Sequence, residues 1–233
     1  MKWGLLAVAL ALLPGVAGAQ LLLPQPELRT LQDCETCPEM VTLPDGSLIS
    51  RAPVQKQEFA AFVRATDYKH QGWGCKWRYA HIEQEPDHPA VCITFQAARQ
   101  YAEWLSEKTG VTYRLPTGDE LTYAVMGFST ANYWWGQQVG EGRANCDGCG
   151  SRFDGVGTSP VGTFEPNEFN LLDAVGNVWI WTTDCETAEC QKRALLTGGW
   201  SSPPSDLRMT KRIFQAPDVP FNSYGFRVVR EDG

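Results

Sequence analysis

Beyond Leu13 the chain has no apolar run approaching the ~20 residues that a bilayer span requires, so it is not read as membrane-spanning. Nor is there an excess of positive charge. Lys and Arg number 20 against 27 Asp and Glu, a formal net charge of -7. Such a surface repels phosphate backbones, which argues against nucleic acid and leaves a cationic partner or a metal ion welcome. Histidine is scarce: His70, His81 and His88 all sit in one polar stretch. There is no internal repeat, low-complexity tract or linker to divide the chain. No nucleophile, base and orienting group stand out by spacing, and the pairs Asp119-Glu120 and Glu83 with Glu85 are what any acidic chain offers to solvent.

What is present begins with Lys2, the apolar run Leu5 to Leu13, and Ala17-Gly18-Ala19 before Gln20. This reads as a secretory signal over residues 1–19, with an A-x-A cleavage site, which predicts export to the periplasm in a soluble or peripherally membrane-associated form. Eight cysteines follow: Cys34, Cys37, Cys75, Cys92, Cys146, Cys149, Cys185 and Cys190. An even number in an exported chain predicts bridges. The two C-x-x-C pairs also have zinc spacing, but an oxidising compartment favours disulfides. Eight cysteines allow on the order of a hundred connectivities. The pairing chosen here closes Cys146 with Cys149, Cys185 with Cys190, and Cys75 with Cys92. Nine tryptophans supply large apolar faces for a core.

Residues 20–33 form a polar lead-in, and 34–233 read as a single α+β domain. Met40-Val41-Thr42-Leu43 alternates and stops at Pro44-Asp45-Gly46, with Leu48-Ile49 as the return strand of a hairpin. Phe59, Phe62 and Val63 fall at helical spacing within Glu58 to Arg64, and Asp67 to Pro89 reads as a long loop. Two main helices follow. In the first, Ala97, Tyr101, Trp104 and Leu105 share one face between a Thr94 cap and Gly110. The second runs from about Thr117 to Met126 and opens with the capping box Thr117-x-x-Glu120. Beyond Gly127 the chain is rich in Gly and Trp, with short strands expected at 195–197 and 226–229.

In order along the chain, CPEMV, PAVCITFQAARQYAEWLSEKTGVTYRLPTGDEL, YWWG, ANCDGCGS, TSPVGTFEPNEFNLLDAVGNVWIW, TGGW and GFRVV resemble the formylglycine-generating (sulfatase-modifying factor) family from Cys34 to Val229. The resemblance implies a C-type-lectin-like fold with little regular structure. In that setting Arg114 is expected to hold loop carbonyls through its five-donor guanidinium, and Trp179 and Trp181 to wedge the loops.

Members of the family that oxidise a sulfatase cysteine carry a copper-binding cysteine pair shortly after the GGS motif. Here Gly198 to Arg208 reads GGWSSPPSDLR, which offers no thiolate for Cu(I). A non-catalytic branch, a pseudoenzyme without copper, is therefore expected. An iron site of the kind found in the sulfoxide-synthase branch would have to use His70, His81 and His88, for which solvated loop histidines are the simpler reading. Calcium is the cofactor the resemblance implies. One site would use Asn145, the Cys146 carbonyl, Asp154 and the Val156 carbonyl. A weakened second site would use Asp173 and the carbonyls of Gly176 and Val178, with Ile180 where the family places a glutamate.

A stand-alone exported domain of this size resembles the periplasmic regulators that act upstream of the transmembrane threonine kinase controlling type VI secretion. The partner implied is the periplasmic part of such a kinase or an outer-membrane lipoprotein. Trp73, Trp77, Tyr133 and Trp134 are the candidate contact residues. The competing readings are a metal-dependent oxidoreductase and a lectin-like ligand-binding protein.

Overall fold

The computed structural model describes residues 29–70 and 74–231. The signal segment, the lead-in before Arg29 and Trp73 lie outside them. Among the described residues there are three α-helices and two sheets, and none of the helices is long and apolar enough to cross a membrane.

The expected hairpin is present as β2 (Met40–Thr42) and β3 (Leu48–Ser50), paired antiparallel with Val41 opposite Ile49. Its turn is closed by the Asp45 carboxylate, which accepts from the Ser47 N–H at 3.0 Å. This is the local bond that makes Asp a turn residue. Inside the lead-in, β1 (Thr30–Leu31) adds an edge strand to β2. On the other side of β3 lies β9 (Val229–Arg230), which also pairs with β4 (Tyr113–Arg114).

The helix expected over Glu58 to Arg64 is longer: α1 spans Lys56–Thr66. Helix α2 (Phe95–Thr109) starts where Thr94 accepts the Ala97 N–H and ends at a left-handed Gly110. In α3 (Gly118–Met126) the capping box operates, with Thr117 accepting from the Glu120 N–H and Glu120 accepting from the Thr117 N–H. Phe59 and Phe62 of α1 pack on Tyr101 of α2, with Phe226 and Trp77 closing the same aromatic cluster.

The second sheet has the order β7 (Arg212–Gln215), β6 (Arg193–Leu196), β5 (Trp179–Cys185), β8 (Tyr224–Gly225). The strand expected over 226–229 does not form as such, because β8 ends at Gly225 and β9 begins at Val229. Between them the chain leaves one sheet for the other. Val54 N–H donates to the Phe226 carbonyl and Ser50 N–H to the Val228 carbonyl, so a run of strand-like composition becomes a crossover. Trp181 on β5 is fully buried and donates its indole N–H to the Ile93 carbonyl at 2.8 Å, the wedging role expected of it.

All eight cysteines are paired: Cys34–Cys37, Cys75–Cys92, Cys146–Cys149 and Cys185–Cys190. The three pairings chosen from the sequence are all present.

At the start of α1, Glu58 accepts the Gln55 N–H at 2.7 Å, and burial pushes its carboxyl up to about 7. A raised carboxyl contributes its full stability below the unfolded value and loses it as pH rises through the folded one. We expect Glu58→Gln, whose amide oxygen can still accept the Gln55 N–H, to match the parent at about pH 4, below the unfolded value. At pH 8 it should be more stable by on the order of 2 kcal/mol. Urea melts at the two pH values check this.

Candidate functional site

The segment following β6, Gly198 to Arg208, is where the family resemblance leads one to expect a cysteine pair, and it contains none. Gly198 is left-handed, and a Cβ there would come 2.6 Å from Leu207 Cδ1. From that turn the chain is tied on every side. The Ser202 hydroxyl accepts from the Trp179 indole N–H at 2.9 Å and from the Gly199 N–H at 3.1 Å. Its carbonyl accepts from the Asp147 N–H at 2.9 Å. Pro204–Leu207 then forms a 3-10 turn whose Pro204 carbonyl receives the Tyr133 hydroxyl at 2.9 Å. Leu207 at its end is fully buried. The segment presents hydroxyls, carbonyls and proline rings, and no cysteine in the molecule is free. It therefore has no soft ligand for Cu(I) and no thiolate nucleophile.

Beneath it lies a buried polar network. Asn177, left-handed and fully buried, accepts from the Ser159 N–H at 2.9 Å and from Asn145 Nδ2 at 3.2 Å, and donates to the Ser159 carbonyl at 3.1 Å. Asn145 also donates to the Gly157 carbonyl at 2.9 Å. Asp173 accepts the Gly162 N–H at 2.9 Å. Burial pushes its carboxyl up to about 6, a rise only partly opposed by that bond, the charge of Arg227 and Asn177.

The structure treats the two candidate calcium sets differently. In the first, Asn145 Oδ1 is buried without a hydrogen-bond partner among the described residues, so a hard oxygen is available. Asp154 has other partners, accepting the Gly148 and Gly150 N–H groups at 2.5 and 2.6 Å around the Cys146–Cys149 turn. These two bonds hold its carboxyl below the usual range. Val156 is exposed beside it. In the second set each carbonyl already accepts one bond: the Gly176 carbonyl accepts the Val178 N–H at 2.7 Å, and the Val178 carbonyl accepts the Thr197 hydroxyl at 3.0 Å. Ile180 turns its side chain into the core opposite Leu196. This set lacks the side-chain oxygen at position 180, which leaves it weaker than the first.

Among the described residues no three His, Cys, Asp or Glu side chains converge, so His70, His81 and His88 do not form one metal site. His88 is buried with Nδ1 2.9 Å from the Thr158 hydroxyl.

Two of the aromatic contact candidates are core residues. Trp77 is buried in the aromatic cluster with Phe59, and Tyr133 is buried, stacked on Trp135. Trp134 is half-buried and packs edge-on to Trp135, while Trp73 lies outside the described residues. The large apolar side chains that do face solvent include Tyr79, Phe128 and Val156.

Arg114 differs from expectation in its partners. It donates mainly to carboxylates, bidentately to Glu120 at 2.8 and 2.6 Å and to Glu231 at 2.6 Å. The role of holding loop carbonyls falls to Arg227, which is fully buried and donates to the carbonyls of Ser50, Arg51, Leu172 and Asp173. The signal for it was a lone Arg inside the apolar run of GFRVV, since a buried guanidinium needs a full set of acceptors.

Known proteins share this arrangement of helices, sheets and loops. Residues 17–232 match the family of the sulfatase-modifying factor enzyme 1-like domain. The formylglycine-generating enzyme of Mycobacterium tuberculosis is 40% identical over 124 residues, covering 47% of this chain and 40% of that one. The inactive C-alpha-formylglycine-generating enzyme 2 of Bos taurus is 32% identical over 162 residues, covering 63% of this chain and 51% of that one. The serine/threonine-protein kinase pkn1 of Chlamydia pneumoniae is 30% identical over 161 residues, covering 61% of this chain and 24% of the kinase. Among solved structures, PvdO from Pseudomonas aeruginosa superposes with a TM-score of 0.77 at 27% identity, covering 88% of this chain and 98% of that one. The chain thus spans only part of the curated relatives it matches, at most 51% of the three named here. Since the family match spans almost its whole length, the chain belongs to the family of sulfatase-modifying factor enzyme 1-like domains.

Proposed function

We propose that this chain is a non-enzymatic, exported regulator that binds a protein partner through a sulfatase-modifying-factor scaffold. The observation that carries this reading is chemical: the Gly198 to Arg208 segment contains no cysteine, and all eight cysteines are consumed by bridges. A scaffold kept intact without thiolate ligands supports a binding role over a catalytic one. Four disulfides fit an oxidising space such as the periplasm. The match to part of a serine/threonine kinase and to an inactive relative supports a signalling role for such domains. The finer reading is activation of a transmembrane kinase that controls type VI secretion, and it rests on the resemblance in size, export signal and missing cysteines. If calcium binds, Asn145 and the Cys146 carbonyl would hold it, and it would supply stability to the buried network rather than chemistry.

Purified protein loaded with copper and offered a sulfatase-type cysteine peptide should form no aldehyde by mass spectrometry. Any turnover would overthrow the reading. Stoichiometric iron, copper or zinc in the isolated protein would instead favour a metal-dependent oxidoreductase.

A further inference from the structure

One groove gathers four of the 20 Lys and Arg side chains of this acidic chain. It lies between the C-terminal end of α1 and the turn at 76–79, has a volume of about 620 Å³, and is lined by Arg64, Lys69, Lys76 and Arg78, with Tyr68 and Tyr79 among its aromatic walls. Its one carboxylate, Asp67, is already paired with Lys69 at 2.5 Å. Arg64 and Lys76 are exposed and make no ion pair among the described residues, while Arg78 lies 4.9 Å over the Trp77 ring. In a chain of net charge -7, Arg64, Lys76 and Arg78 have no carboxylate partner among the described residues, since the one carboxylate of the groove is taken by Lys69. Arg64 also complements the negative end of the α1 dipole, which explains one cation but not the other two. A second observation is independent of charge. His70, on the same wall, has its Nε2 buried without a hydrogen-bond partner among the described residues.

We propose that this groove docks an acidic, extended segment of the protein partner. The proposal rests on the regulator reading above and assigns it a surface. The groove's shape favours a polypeptide over a compact anion. It runs past Arg78 and Tyr79 into a second depression along residues 80–84, and through Glu83 and Gln84 into a third beside Phe153 and Val156; Glu83 and Glu85 line this extension, so it would take the apolar part of the segment and the carboxylates would stay at the α1 end. Tyr79, at the first junction, is 73% exposed, and Val156, at the far end, is 71% exposed. Carboxylates on the extended segment would meet Arg64, Lys76 and Arg78. Its apolar side chains would lie against Tyr79 and Val156. Arg and Tyr are among the residue types that dominate binding energy at interfaces, and rim cations set association rate and salt dependence.

The test titrates the full chain with a synthetic peptide of alternating Glu and aromatic residues, followed by tryptophan fluorescence. A Lys-containing peptide of the same spacing, inorganic phosphate and phosphatidylglycerol vesicles serve as comparisons. The acidic peptide should bind best and weaken at least about tenfold between about 50 and 500 mM salt. It should weaken as much in Arg64→Glu/Lys76→Glu/Arg78→Glu. These three side chains are exposed, so a cooperative melting curve within about 5 °C of the parent, the cost of losing the Arg64 dipole contact and the Arg78–Trp77 contact, should confirm that the variant folds. Equal binding by parent and variant, or phosphate or vesicles binding as well as the peptide, would overturn the assignment. In parallel, parent and variant are used as bait in periplasmic extract. A partner recovered equally by both removes the groove but leaves the regulator reading standing, whereas no partner for the parent removes both.

Discussion

Replacing Arg227 by Met should lower the melting temperature by about 10–20 °C or abolish soluble expression, the larger of the two stability effects expected in this molecule. The guanidinium is fully buried, and its two terminal nitrogens donate to four carbonyls: Ser50 at 2.9 Å, Arg51 at 3.0 Å, Leu172 at 2.5 Å and Asp173 at 2.8 Å. Those carbonyls belong to the end of β3 and to the loop before Gly176, so one side chain joins the first sheet to the buried network. Burial depresses its pKa to about 10, which leaves it charged at neutral pH. Methionine fills similar space but supplies no donor, and each buried acceptor left unmet costs about 1–3 kcal/mol. It also removes the positive charge nearest Asp173, whose carboxyl is already pushed up by burial. Together the loss is on the order of 5 kcal/mol. Arg227→Lys should fall between, since an ammonium keeps the charge but cannot reach carbonyls on two segments with a planar fork. Repeating Arg227→Met in an Asp173→Asn background separates the two causes. If charge dominates, the second cost shrinks, and if carbonyl satisfaction dominates, it does not. A methionine variant melting within about 3 °C of the parent would refute the account.

The contrast between Arg227 and the helices shows what a sequence discloses. The Thr117-Glu120 box, the Thr94 cap, Gly110 and the Pro44-Asp45-Gly46 turn are bonds within a few residues, so composition alone reveals them. The three disulfides chosen from the sequence close loops of 3, 5 and 17 residues, again a local choice. What stayed hidden is set by partners far along the chain. Val229 pairs with Ile49, and the apolar run containing it leaves one sheet for another, so no alternation within 226–229 could report that. The same holds for the aromatics. Nothing in the neighbourhood of Trp77 or Tyr133 distinguishes a buried ring from a contact residue, because burial depends on Phe59 in one case and on Pro204 in the other. The candidate site was legible through its missing cysteines, whereas the basic groove arises only when the end of α1 meets a turn that nothing in the local sequence places beside it.

Gly176→Ala should be the second most damaging of these changes, at about 2–5 kcal/mol, for two separable reasons. The residue sits at φ +82°, where an L side chain is strained by about 1–2 kcal/mol. In addition, its added Cβ would stand 2.7 Å from the Asn145 carbonyl oxygen and 3.2 Å from both Ala144 Cβ and Leu207 Cδ2. None of these can retreat easily. The Asn145 carbonyl holds the Asn177 N–H at 2.8 Å, and Leu207 is fully buried at the end of the 3-10 turn. Gly46 supplies the control, with φ +89° and no atom within 4 Å of the position a Cβ would take. Gly46→Ala should therefore carry the backbone strain alone, and the difference between the two variants in chemical denaturation isolates the steric cost of about 1–3 kcal/mol. That cost falls where the Asn145 network meets the cysteine-free segment after β6. If the two alanines were equally destabilising, the close packing of these layers would not be what holds the segment in place.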